Sequence, residues 1–380
     1  MTGSLNSNKL VGIDLHIMLD SGAFSIFRRG IPLPIQDYID YCKRHKDQVA
    51  AYVNLDCIPG ENGHMDHSQT AIEKSASKSY ENLQIMKAAG LSPIPVFHQG
   101  ERFEWLERML QDGETYIGIS PYLRSHQNEI IKWMDQCFTR VTDSKGWPLV
   151  KTHGFGVTAC NLCIRYPWTS VDSTSWSVGG GYGTILVPQY VNGTPDYSKP
   201  PLSLKMSARK QDQSRGFDGL SPSQQDIVRQ AVADAGVTMG ELRNTFMGRW
   251  RLNMKYFQGM SAACDGKAFA NKARSLFGSA PVVGKGFKPQ PLRMYFATVL
   301  HTKHHNEFLN ECKIENRLLS YAFLRELPDE FLGQYIETGL PEQKVPRVKK
   351  TRMHNWSSET YRVRRSNSLI KIKQREDVVE

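Results

Sequence analysis

No stretch of this chain approaches the ~18–20 consecutive apolar residues that a bilayer-spanning helix needs. The first ten residues, MTGSLNSNKL, lack the apolar core of a secretory signal. A cytoplasmic location, in a bacterial cell or a phage-infected host, with no membrane partner is therefore the expectation. Cysteine is sparse: seven in 380 residues, an odd number without regular spacing. That excludes a disulfide scaffold and fits a reducing compartment. No internal repeat is visible. Apolar residues are not lacking: they make up 40% of the chain and include seven Trp. This is enough for a large core and excludes a disordered chain.

Charge of either sign is lacking as a net quantity over most of the chain. Lys plus Arg number 48 and Asp plus Glu 38. Residues 344–375 alone hold eleven basic residues and one acid, Glu359, leaving thirty-seven of each sign elsewhere. Residues 344–375, within a basic extension over 341–380, carry the whole imbalance, and the rest of the chain is neutral.

The first half alternates short apolar runs with amphipathic stretches. Strands are expected at 17–19, 50–55, 94–97, 116–119, 148–152 and up to 172. Helices are expected over 35–46, 68–89, 103–110 and 128–138, with Gly90, Gly100 and Gly113 as stops. Alternation of this kind predicts a parallel sheet with crossover helices. The expected fold is α/β, a (β/α)8 TIM-type barrel over 1–340, with its site at the C-terminal strand ends. An insertion lies around 177–290; its Gly-, Pro- and Tyr-rich start, 177–220, reads as hairpin-like, with Gly179–Gly183 as a turn. Helix is expected over 222–257 and 302–325, and a late strand over 293–300.

The residues that close the expected strands carry the chemistry. The first ends in Asp20, Ser21 and Gly22, and the second runs to Asp56. The third ends in His98, Gln99 and Gly100, the fourth in Gly118 and Ile119. The fifth ends in His153, Gly154 and Gly156, the sixth in Asp172 and Ser173. A single acid after a strand commonly caps a helix. Three Asp at three strand ends, with Gln and Gly ends between them, is what a polar pocket at a barrel mouth requires.

Taken in order, LDSGAFSIF, NLDCIPG, PVFHQGE, YIGIS, HGFGVT and VDSTSW resemble the tRNA-guanine transglycosylases. They are most similar to the phage and bacterial subgroup that inserts 7-deazaguanines into DNA. The resemblance covers about residues 15–180. It implies that Asp172 is the nucleophile and Asp20 the general acid/base. It implies that Asp56, Gln99, Gly118 and Ile119 recognise the base, with Ser21, Gly22, His98, Gly154 and Phe155 shaping the pocket. The implied activity is exchange of guanine in DNA for a 7-deazaguanine such as preQ0, through a covalent Asp-glycosyl intermediate. The implied partners are DNA and the free base, and the family commonly forms homodimers. Trp168, Trp176, Phe24 and Phe155 flank these motifs, either as walls for the base or as core.

The chemistry suits these residue types. A carboxylate attacking C1′ divides one difficult displacement into two and retains configuration. A second acid must handle the proton of the departing and arriving base. The chain departs from the tRNA enzymes in lacking their C-x-C-x2-C zinc motif. Cys160-x2-Cys163 has no second pair, and His301, His304, His305 and Cys312 read as a polar helix face. No metal and no cofactor are expected. The nucleic-acid surface is then expected from Arg249, Arg251 and Lys255, and from Lys349, Lys350, Arg364 and Arg365 of the extension. Three alternatives remain at this point: the same reaction on tRNA, a non-catalytic nucleic-acid-binding barrel, and a small-molecule glycosidase or nucleosidase.

Overall fold

The computed structural model describes residues 16–24, 27, 33–47, 49–123, 125–206, 216–264, 268–269, 286–288, 292–297 and 320–323. All fall within one unit of the chain, Met1–Gly333.

Eight strands form the main sheet. They are β1 (His16–Leu19), β2 (Ala51–Tyr52), β3 (Val96–His98), β4 (Tyr116–Ser120), β5 (Lys151–Gly154), β6 (Ser170–Ser173), β7 (Arg293–Ala297) and β8 (Ser320–Phe323). Their spatial order is β2-β1-β8-β7-β6-β5-β4-β3. Strands β3 to β7 run parallel, as do β1 and β2. Just past β2, Val53 bridges in parallel to Ile94, ahead of β3. The Asn54 N–H donates to the Ile94 carbonyl and the Ile94 N–H to the Tyr52 carbonyl, each at 2.9 Å.

The last strand differs from expectation in type and direction. Helix was expected over 302–325, yet Ser320–Phe323 is a strand, antiparallel to both β1 and β7. Residues 301–319 and 324–325 lie outside the described set. Pairing on both sides satisfies two rows of backbone groups that β1 and β7 would otherwise leave open. That outweighs a local helical preference of tenths of a kcal/mol per residue.

Among these strands lie six helices, of which the first four follow their sequence signals closely. They are α1 (Ile35–His45), α2 (Gln69–Ala88), α3 (Phe103–Gln111), α4 (Gln127–Val141), α5 (Cys160–Arg165) and α6 (Ser175–Gly181). Ser68 caps α2 by accepting from the Ala71 N–H. Gly90 and Gly113 end α2 and α3 in left-handed conformations, φ +81° and +79°. Behind each, the next residue's N–H reaches back, Leu91 to Met86 and Glu114 to Met109, which satisfies carbonyls the helix end leaves open. The buried faces of α1 and α4 carry Tyr38, Ile39 and Cys42, and Ile130, Trp133, Met134, Cys137 and Phe138.

Between β6 and β7 the chain builds a small satellite. Residues Thr184–Val187 and Leu202–Lys205 pair antiparallel, and Gln189–Val191 with Thr194–Asp196 forms a hairpin. Helices α7 (Pro222–Asp234), α8 (Met239–Asn244) and α9 (Phe246–Ala263) complete it. Ser221 with Gln224, and Thr238 with Glu241, make reciprocal capping boxes. Its core includes Ile185, Val187, Leu204, Val228, Val232, Leu242 and Leu252. The glycines expected as a turn at 179–183 instead lie largely in helix α6. Packing decides this. Trp176 is buried, and a Cβ on Gly180 would stand 2.4 Å from Trp250 Cδ1, so α9 approaches α6 backbone that must lack a side chain.

Candidate active site at the strand ends

Strand parity sets the site. Side chains two apart share a sheet face, and laterally paired residues of parallel strands point the same way. In register, Val96 pairs with Gly118, Gly118 with His153, and His153 with Ser170. Tyr295 pairs with Asp172. Val96 and His98, Tyr116 and Gly118, and Ser170 and Asp172 therefore face the same side. Met18, Val53, Ile94, Val96 and Tyr295 pack on one another, with Tyr116 and Phe155 against them. The polar residues extend this apolar cluster at the C-terminal strand ends.

The first polar group joins the ends of β1, β2 and β3. Asp20 follows β1 directly, and Gly22 turns the chain with φ +73°. Ser21 is buried; its Oγ donates to Asp56 Oδ1 at 2.9 Å and accepts from the Ala23 N–H. The other Asp56 oxygen lies 2.9 Å from His98 Nε2, and His98 Nδ1 lies 3.0 Å from Glu101 Oε1. His98 is thus clamped between two carboxylates, and its side chain is 16% exposed. Burial opposes its charge, but the hydrogen bonds and charges of Asp56 and Glu101 outweigh that and push its pKa up to about 10. At neutral pH it is an imidazolium donating from both nitrogens. Burial, followed by the neighbouring Cys42, Asp20 and Asp56, holds the Tyr38 phenol well above its usual range. That phenol donates to the Val53 carbonyl at 2.7 Å.

The second group surrounds Asp172, which is 5% exposed. The Gly156 N–H donates to its Oδ1 at 2.8 Å. Gly156 adopts φ +68°, a left-handed turn that aims this N–H inward. His153 Nε2 stands 3.4 Å from the same oxygen. No hydrogen bond engages Asp172 Oδ2 among the described residues. The Phe155 ring stands edge-on to His153 at 4.4 Å and lies over Gly118, where a Cβ would meet Phe155 Cε2 at 2.5 Å. Gly118 therefore clears space for Phe155. Beside it, Gln99 Oε1 accepts from the Tyr122 N–H at 2.8 Å, which leaves its amide nitrogen to donate elsewhere. Ile119 and Gly154 are buried in adjacent strands, Ile119 paired with Gly154.

The expected nucleic-acid surface needs correction, and the flanking aromatics divide between core and surface. Arg249 is not a nucleic-acid contact. It is 5% exposed, and its guanidinium donates from Nε to the Gly180 carbonyl at 2.6 Å and from Nη1 to the Leu242 carbonyl at 2.7 Å. Those bonds tie α9 to α6 and α8, so phosphate cannot reach it. Arg251 and Lys255 are half-buried on the same helix, while Lys349, Lys350, Arg364 and Arg365 lie outside the described residues. Of the four aromatics, Trp168 and Trp176 are core, at 2% and 1% exposure, whereas Phe24 is 57% exposed. Cys160 and Cys163 are buried free thiols, and no metal-ligating cluster occurs among the described residues. No helix among them is long and apolar enough to cross a membrane.

Sequence reasoning placed His153 at a strand end without giving it a role, and passed over Glu101, Ser170 and Tyr116. The signal for a role of His153 was weak: a polar residue between Thr152 and Gly154 in a short strand needs a partner if it is buried. Compared with protein-family models, curated proteins and solved structures, the chain matches none.

Proposed function

We propose that this chain is a base-exchange transglycosylase that replaces guanine in DNA with a 7-deazaguanine. One observation carries the reading. Asp172 closes a parallel strand with one oxygen pinned by a backbone N–H and the other unengaged among the described residues, while Asp20 and Asp56 lie just past β1 and β2 of the same sheet. That is the arrangement of a carboxylate nucleophile with one lone-pair-bearing oxygen to offer.

In the proposed reaction Asp172 Oδ2 attacks C1′ of the target nucleotide. The C1′–N9 electron pair leaves with guanine, and Asp20 supplies the proton to the departing base. The resulting glycosyl ester is attacked on the same face by the incoming base, which gives its proton to Asp20, and the carboxylate leaves. Two displacements retain the configuration, and nothing is oxidised or reduced. Asp56 and the Gln99 amide are the groups proposed to read the base edge. A target inside a duplex would have to be flipped out of the stack.

The fold part of the proposal is a closed barrel. Support comes from the Val53–Ile94 bridge, which links the two ends of the strand order, and from residues of β1, β3 and β7 meeting in one cluster. An open sheet in that order would hold β2 and β3 at opposite edges. This barrel would be a variant of the (β/α)8 form, with its eighth strand reversed.

DNA is favoured over tRNA because the sequence lacks the cysteine set of the tRNA enzymes. The test incubates the purified full chain with duplex DNA or with tRNA and labelled preQ0. Label is expected in DNA, and none with Asp172→Ala. Label in tRNA alone would redirect the reading, and label in neither polymer would end it.

A further inference from the structure

Behind Asp172 runs a polar chain whose partners assign each proton. Tyr116 Oη lies 2.5 Å from Ser170 Oγ, and Ser170 Oγ lies 2.6 Å from His153 Nδ1. His153 and Ser170 are fully buried, and Tyr116 is half-buried. Ser170 is the only protein partner of the Tyr116 hydroxyl among the described residues. Burial holds that phenol well above its usual range, so it keeps its proton, and with no other protein acceptor among the described residues that proton is assigned to Ser170. The single hydroxyl proton of Ser170 must then go to its other partner, His153 Nδ1. A nitrogen that accepts carries no proton, so the ring proton of neutral His153 sits on Nε2. That nitrogen is buried, makes no hydrogen bond among the described residues, and stands 3.4 Å from Asp172 Oδ1.

We infer that His153 is a positioning residue for Asp172, held by Tyr116 and Ser170 as the Nε2–H tautomer so that its N–H faces the nucleophile's pinned oxygen. This rests on the base-exchange reading above. A neutral donor at 3.4 Å orients Oδ1 without neutralising the carboxylate, as an imidazolium in close contact would. When the C1′–Oδ2 ester breaks, its electron pair returns to Asp172, and charge reappears on both oxygens. The Gly156 and His153 N–H groups are then the two fixed dipoles facing that charge on Oδ1. Such a donor contributes more as charge develops than in the ester, which is the condition for acting on the rate rather than on binding.

The imidazole can be read directly in the full chain. In ¹⁵N-histidine-labelled protein, the His153 signals, assigned by their loss in His153→Gln, are expected to show a protonated Nε2 and a bare Nδ1. They are expected to shift on Asp172→Asn. A protonated Nδ1 in the wild type, or signals indifferent to Asp172→Asn, would overturn the inference. In the base-exchange assay His153→Leu is expected to lower kcat tenfold or more, with KM for the free base changed less than twofold. His153→Gln, which keeps an N–H at about the same reach, is expected to recover most of the loss. Equal losses in both variants would mean packing alone and would also overturn it. If the wild type exchanges no base, the base-exchange reading falls, and the nitrogen signals and their response to Asp172→Asn decide the positioning role by themselves.

Discussion

At the scale of single residues, the histidines at the ends of β3 and β5 have opposite tasks. His98 sits between Asp56 and Glu101 and is charged at neutral pH; the His153 ring sits between a hydroxyl and a carboxylate and makes one hydrogen bond among the described residues. The folded pKa of His98, near 10, is raised above the ordinary 6.5 of an unfolded histidine. Its contribution to stability is therefore fully present below about 6.5 and is lost as pH rises towards 10. Thermal unfolding followed between those limits should show the wild type losing more of its Tm than His98→Gln; parallel curves would mean the clamp is not ionic. Glu101→Gln removes one of the two carboxylates and should lower the pH at which that loss occurs, as read in the same titration. These partnerships were not legible beforehand. Along the chain His98 lies 42 positions from Asp56 and 3 from Glu101, and nothing in HQGE says which acid the ring will find.

At the scale of elements, local signals served well where the chain needs only its neighbours. Helices α1 to α4 lie within three residues of their expected limits because apolar spacing, Ser68, Gly90 and Gly113 act locally. They failed where a distant segment decides. Helix α6 forms on SWSVGGG, a poor helix sequence, because α9 brings Trp250 onto Gly180 and Arg249 onto the Gly180 carbonyl. Arg249→Ala leaves the Gly180 and Leu242 carbonyls without their charged donor and should cost ~2–3 kcal/mol, since hydrogen bonds to charged groups are worth about that much. Denaturant unfolding would show a lowered midpoint. The salt dependence of DNA binding should be unchanged in this variant; a slope reduced by about one would return Arg249 to the phosphate-contacting set.

At the scale of the whole molecule, net charge and the proposed chemistry are separated along the sequence. The neutral body carries the strand-end carboxylates, and 344–375 carries the net +10. Truncation before Lys344 should weaken DNA binding and flatten its dependence on salt, because the slope of log K against log salt falls by about 0.9 for every phosphate left without its cation. Free-base binding should persist, as equilibrium dialysis with labelled preQ0 would show. A truncated chain that bound DNA as tightly as the full one would remove the extension from the mechanism and leave the strand-end site untouched.

The sequence by itself determined the α/β alternation, the ends of α1 to α4 and the identity of the polar residues that follow the strands, since these depend on apolar period, capping and turn residues close in the chain. It also determined the division between a neutral body and a basic extension. Only the tertiary structure decided that β8 runs against its neighbours, that Arg249 is buried between helices, and that Phe155 covers Gly118. It alone decided that His98 is clamped by two acids while His153 turns one nitrogen towards Asp172. Those outcomes depend on which segments meet across tens of residues, where pairing of backbone groups and burial of charge outweigh local preference.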